Sequence, residues 1–136
     1  MAKPLDDLRR LVAQGAGLVI NQQQYTDTDL TALRAVVQAC KGTLLFSSTH
    51  TRAVQEAGRS AQVFHDLCRQ AKEGKVLTID VSDPGQYPSA DLLRLVALAK
   101  EWGSQLYLLN AHRRDTRDLS RIAAEGERWV TFDLWH

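Results

Sequence analysis

The sequence is short of the features that announce a chemistry. Its 136 residues include two cysteines, three prolines and one methionine. Cys40 and Cys68 sit in helical apolar patterns without the spacing of a disulfide framework, which suits a reducing compartment, so a cytoplasmic protein is expected. No charge of one sign prevails. The 17 basic residues face 16 acidic ones, which argues against a nucleic-acid partner, since such binders carry a basic excess or stripe. No apolar run approaches the length of a membrane span, so no membrane partner is expected. The start, Met1-Ala-Lys-Pro-Leu-Asp-Asp, lacks the apolar core of a signal peptide. Ser47-Ser-Thr could cradle an anion but lacks the glycines and lysine of a P-loop. No catalytic residue, metal ligand set or cofactor is assigned.

What is present is ordinary in bulk and regular in detail. A hydrophobic fraction of 44% and a charged fraction of 24% describe a globular chain, long enough for one domain over 1–136. Gly15, Gly42, Gly74, Gly103 and Gly126 each follow a helical pattern and read as C-caps in the left-handed conformation. A short apolar run follows each glycine: Leu18-Val-Ile-Asn, Leu44-Leu-Phe-Ser, Val76-Leu-Thr-Ile-Asp, Leu106-Tyr-Leu-Leu-Asn and Val130-Thr-Phe-Asp-Leu. Their length and β-branched or aromatic content favour strands.

Upstream of each strand the helix carries an Asp-Leu pair, at Asp7-Leu8, Asp29-Leu30, Asp66-Leu67, Asp91-Leu92 and Asp118-Leu119. Thr26 and Asp115 stand three residues before the pair as N-caps, while Pro4 and Pro88 suit a first helical turn. The units, about 1–24, 25–50, 51–86, 87–112 and 113–136, alternate between a short and a long type. Asp7…Gly15, Asp66…Gly74 and Asp118…Gly126 mark the short ones; Tyr25 and Tyr87 open the long ones.

A helix between every two strands makes all five strands parallel. Helix stripes such as Leu30, Leu33, Val37, Cys40 and Val54, Ala57, Ala61, Phe64, Cys68, Ala71 cover one face each. Leu18, Ile20, Leu44, Phe46, Leu77, Ile79, Leu106, Leu108, Val130 and Phe132 form an apolar strand set. The opposite set is mixed: Val19, Asn21, Leu45, Ser47, Thr78, Asp80, Tyr107, Leu109, Thr131 and Asp133. Strands buried on both faces would read as continuous apolar runs, so this alternation favours helices mainly on one face of a five-stranded parallel sheet in sequential strand order. A doubly wound three-layer sheet is the alternative.

Gly17-Leu-Val-Ile-Asn, Leu106-Tyr-Leu-Leu-Asn and the Leu-rich helices resemble leucine-rich repeats and related α/β solenoids, although the units are longer and more helical. The resemblance implies a binding scaffold. Residues 76–133, with Asp80-Val-Ser-Asp, Gly103 and an Arg-rich last helix, look like STAS regulatory domains of bacterial signalling, where Ser89 matches the serine opening the central helix.

Three places could carry chemistry. The loops Ser48-Thr-His50-Thr-Arg52 and Asn110-Ala-His112-Arg-Arg114 place His and Arg at equal offsets, with Asp80, Ser82 and Asp83 expected between them on the ligand-binding edge of a parallel sheet. Two strand spacings, roughly 10 Å, keep the histidines from sharing one ion, and a duplicated polar loop is the favoured explanation. Arg113, Arg114, Arg117 and Arg121 at a helix start could hold a phosphate or an acidic partner, but the interleaved Asp115 and Asp118 read as a solvated face. Trp129 and Trp135 flank a last strand expected to lie unpaired at the sheet edge, as a cap or as an interface.

The expectation is therefore a non-catalytic interaction or regulatory module binding a protein through its open sheet face or terminal strand. Tyr107, Trp129, Trp135, Leu45 and Leu109 would supply apolar contact, with polarity from Asp80, Asp133 and Asn21. A homodimer through the C-terminal strand is one form this could take. The alternatives are a small enzyme or ligand-binding domain using His50, His112, Asp80 and Asp83, and a STAS-like regulator.

Overall fold

The computed structural model describes residues 3–46, 64–83 and 85–135. They form α1 (Leu5–Val12), β1 (Gly17–Val19), α2 (Asp27–Ala39), β2 (Thr43–Leu45), α3 (Phe64–Lys72), β3 (Leu77–Asp80), α4 (Ser89–Trp102), β4 (Leu106–Leu109), α5 (Thr116–Gly126) and β5 (Val130–Asp133). The five strands make one all-parallel sheet, as the helix–strand alternation requires.

The strand order is β2-β1-β5-β4-β3, not the sequential order expected of a simple solenoid. From β1 to β2, and from β3 through β4 to β5, each step moves one place in the same direction. The first two units therefore dock beside the last one, and β2 and β3, consecutive in sequence, become opposite edges. Helix packing follows the same order: α2 on α1, α1 on α5, α5 on α4 and α4 on α3. The described helices thus form one layer on one face of the sheet.

Local chemistry explains the helices. The Thr26 hydroxyl accepts from Asp29 N at 3.1 Å, and Asp115 accepts from Arg117 N at 3.1 Å, so both cap free helical N–H groups as expected. Pro4 and Pro88 sit one place earlier than expected, at the N-cap, where their extended ψ turns the chain into the helix. The leucine of every Asp-Leu pair is buried. Leu8, Leu30, Leu67, Leu92 and Leu119 are the anchors of their helices, each worth about 2 kcal/mol of burial. The expected stripe from Val54 to Ala61 lies outside the described residues, whereas Leu67 and Ala71 are buried on α3.

The apolar strand set faces this helix layer. Leu18, Ile20, Leu77, Ile79, Leu106, Leu108, Val130 and Phe132 are core residues, and Leu44 and Phe46 pack against them at the β2 edge. Leu18 pairs with Leu44 in the register that aligning the repeats suggests, and with Phe132 two places from it. A slip of two leaves every side chain on its face.

The glycine caps divide. Gly15, Gly74 and Gly103 have positive φ, but in the second and fifth units it is Lys41 and Glu127 whose φ is positive. Gly42 and Gly126 serve close approach: a Cβ would stand 3.0 Å from Ala16 O at Gly42, and would collide with Val96 at Gly126.

Candidate functional site

At the C-terminal edge of the sheet the chain must turn sharply from each strand toward the next helix, and side-chain oxygens fix that turn. Asn21 Oδ1 accepts from Gln23 N at 3.1 Å, Asp80 Oδ1 from Ser82 N at 2.9 Å, and Asp133 Oδ1 from Trp135 N at 3.0 Å. All three are the same two-residue Asx turn. Asp80 Oδ2 also accepts from Asn110 Nδ2 at 3.1 Å, tying β3 to β4, and Asp83 accepts from Gly85 N at 2.8 Å. Asn110 itself is left-handed, a conformation its short polar side chain tolerates.

Arg114 is 5% exposed. Its Nε donates to Val81 O at 2.6 Å, and its Nη2 to Tyr87 O and, at 3.5 Å, to Asp83 O. Nη1 is buried and has no hydrogen-bond partner among the described residues. Burial pulls the guanidinium below its ordinary pKa, while the charges of Asp118 and Asp83 push it back up. The side chain stitches the loop after β3 to the start of α5. Tyr87, whose carbonyl Arg114 holds, is buried, and that burial, followed by the charge of Asp80, raises its phenol.

The expected loop pair does not assemble as drawn. β3 lies at the sheet edge beyond β4, not between β2 and β4, and three strand spacings, roughly 14 Å, now separate those two strands. His112 is half-buried in a 3-10 turn over Ala111–Arg113, while His50 and Arg52 lie outside the described residues. Among the described residues, no three His, Cys, Asp or Glu side chains gather into a metal site. No known protein family, curated protein or solved structure matches the chain.

The interface candidates are redistributed as well. β5 pairs with β1 on one side and β4 on the other, so it is a central strand whose backbone edges are occupied, not an unpaired last strand. Trp129 lies in a turn before β5, near Gly103, with the Arg128 guanidinium 4.9 Å from its ring centre. Trp135 follows the other end of β5, half-buried, so the two tryptophans form no common patch. Leu109 is 2% exposed and offers no surface, and Val19, Thr78 and Thr131 on the same face are buried too. Tyr107, Leu45, Asp80, Asp133 and Asn21 remain half-buried there.

Sequence reasoning missed a polar clasp joining the first unit to the last. Lys3 Nζ donates to Arg114 O at 2.9 Å and to Thr116 Oγ1 at 3.0 Å, and Thr116 Oγ1 donates to Asp7 Oδ2 at 3.0 Å. Tyr25 Oη donates to Lys3 O at 2.9 Å. Only the docking of the first unit on the last brings these residues together.

Proposed function

We propose that the chain is a non-catalytic interaction module of the cytoplasm that binds a protein partner, with the half-buried Tyr107, Leu45 and Asp133 of the mixed strand set, and Trp135 beyond the end of β5, supplying contact. One observation carries this reading: the polar side chains at the strand ends, where a parallel sheet would present reactive groups, hold the backbone. Asp80, Asp83, Asp133, Asn21 and Arg114 each bind a loop N–H or carbonyl. Groups committed in this way shape a surface. The layered helix–strand units, which resemble those of leucine-rich repeats, support a scaffold role, and no helix among the described residues is long and apolar enough to cross a membrane.

The test is site-specific photocrosslinking in the cells that make the protein. A benzophenone amino acid at Tyr107 or Trp135 is expected to capture one discrete protein, and the same probe at the exposed Thr31 on α2 to capture none. A product at twice the chain mass would identify that partner as a second copy. Folded protein with no discrete product from either sheet-face position would defeat the reading.

A further inference from the structure

Two of the arginines that cluster at the start of α5 take no part in the strand-end loops. They line a groove of about 450 Å³ between α1 and α5, formed by Arg10, Ala13 and Gln14 on one side and Arg117, Ser120 and Arg121 on the other. Arg10, Arg117 and Arg121 are all exposed, and no ion pair or side-chain hydrogen bond engages their guanidinium groups among the described residues. The neighbouring acids, interleaved with this cluster in the sequence, have other partners in the fold. Asp115 caps α5, Asp7 accepts from Thr116, Asp6 lies 3.8 Å from Arg9, and Asp118 acts on Arg114. Three cations without an ion pair among the described residues line one concavity, a local concentration of positive charge that the chain's near-zero net charge conceals.

The shape narrows the occupant. Arg117 and Arg121, four residues apart on one helix, are offset by about 6 Å along its axis. Alternate side chains of an extended peptide repeat at roughly 7 Å, close enough for each guanidinium to take one carboxylate in a charge-assisted pair. Arg10 faces them from α1. The Ala13 methyl and the arginine stems add apolar wall, and none of the described lining residues is an aromatic on which a nucleobase could stack.

We propose that this groove binds an acidic, extended segment of a protein partner, with carboxylates at alternate positions bridging α1 and α5. The assignment rests on the chain being an interaction module, but not on the sheet-face surface. Because the ligand would join the first unit to the last, binding stabilises the fold.

The full chain is titrated, at low salt, into a fluorescein-labelled peptide of about twelve alternating Glu and Ala residues and followed by anisotropy. Saturable binding is expected, weakened about tenfold or more in the Arg117→Ala, Arg121→Ala double variant. The Arg69→Ala, Arg94→Ala double variant, which removes the same charge from α3 and α4, should bind within about twofold of wild type. The peptide should also raise the melting temperature of wild type and of the second variant, but not of the first. Absence of saturable binding overturns the proposal, as does equal weakening in both variants, or tighter binding of a single-stranded oligonucleotide of equal charge. Neither Tyr107 nor Trp135, the crosslinking positions, lines this groove, so failure there and failure here are separate results.

Discussion

Helix α5 has a neighbour on each side, and the two junctions are built differently. Toward α4, the preceding helix in the chain, Gly126 lets the backbone close directly onto Val96, and Val130 lies 3.2 Å from where its Cβ would be. Toward α1, 100 residues away in sequence, the contact is a polar clasp at one end and the arginine groove beyond it. The alternation of unit types explains the contrast. Across the sheet the units run third, fourth, fifth, first, second, so the fifth and the first, both of the short type, lie side by side. Everywhere else a short helix meets a long one: α2 has 13 residues and α4 has 14, against 8 in α1 and 11 in α5. The groove lies between these two short helices.

The α4–α5 junction gives the largest expected effect. Gly126 has φ −92° and ψ −24°, a conformation alanine adopts freely, and helix propensity alone would make Gly126→Ala stabilising by about 1 kcal/mol. Steric closure reverses the sign. Gly126→Ala should lose about 2 kcal/mol in urea unfolding, as overpacking does. Adding Val96→Ala removes the colliding methyl, so the double variant should be at least about 1 kcal/mol more stable than the sum of the single changes. A stabilising Gly126→Ala would show that α4 and α5 are no more tightly closed than the seam.

The seam should respond less. Thr116→Val keeps the volume of the side chain but removes its bonds to Asp7 and Lys3 in a half-buried setting, a loss of about 1 kcal/mol. Asp7→Ala should cost a similar amount, and the two together little more than either, because they break the same link. Additive losses in the unfolding midpoints would mean that Asp7 and Thr116 act separately and that no clasp joins the first unit to the last.

The same contrast marks how far the sequence could be read. Within a unit the signals are local and dense: the cap, the Asp-Leu pair and the two-residue strand period fix Leu8, Leu92 and Leu119 inward and Leu18, Ile79 and Phe132 toward the helices. Which unit docks on which is decided by long-range packing, and no residue in the first unit advertises that β1 will pair with β5. What depends on neighbours is therefore not legible in the sequence: the strand order, the two partners of β5 and the place of β3 beyond β4. The arginine cluster failed for a related reason. In one dimension Asp115 and Asp118 cancel Arg117 and Arg121; in three, each acid has a task of its own, and Arg10 arrives from the other end of the chain. Gly126 serves a close helix contact and not a left-handed cap, and in the sequence both leave the same letter.

The smallest expected effect separates the seam from the strand-end edge by pH. Burial raises the Tyr25 phenol above the ordinary tyrosine value, with further upward pushes from the charges of Asp29 and Asp7. A group whose pKa is higher folded than unfolded contributes stability that is fully present below the unfolded value, about 10 for tyrosine, and lost as pH rises through the folded one. The structural reason is direct, since only the protonated phenol can donate to Lys3 O. Tyr87 is raised in the same direction by burial and by Asp80, at the other end of the comparison. Wild type should therefore lose melting temperature on passing from neutral to strongly alkaline pH more steeply than either Tyr25→Phe or Tyr87→Phe. Each single variant should keep the part of the alkaline loss that belongs to the other tyrosine, and the Tyr25→Phe, Tyr87→Phe double variant should have the flattest curve. If Tyr25→Phe runs parallel to wild type while Tyr87→Phe flattens, the clasp around Lys3 does not depend on the phenol proton, and the first unit is held to the last by Asp7 and Thr116 without it.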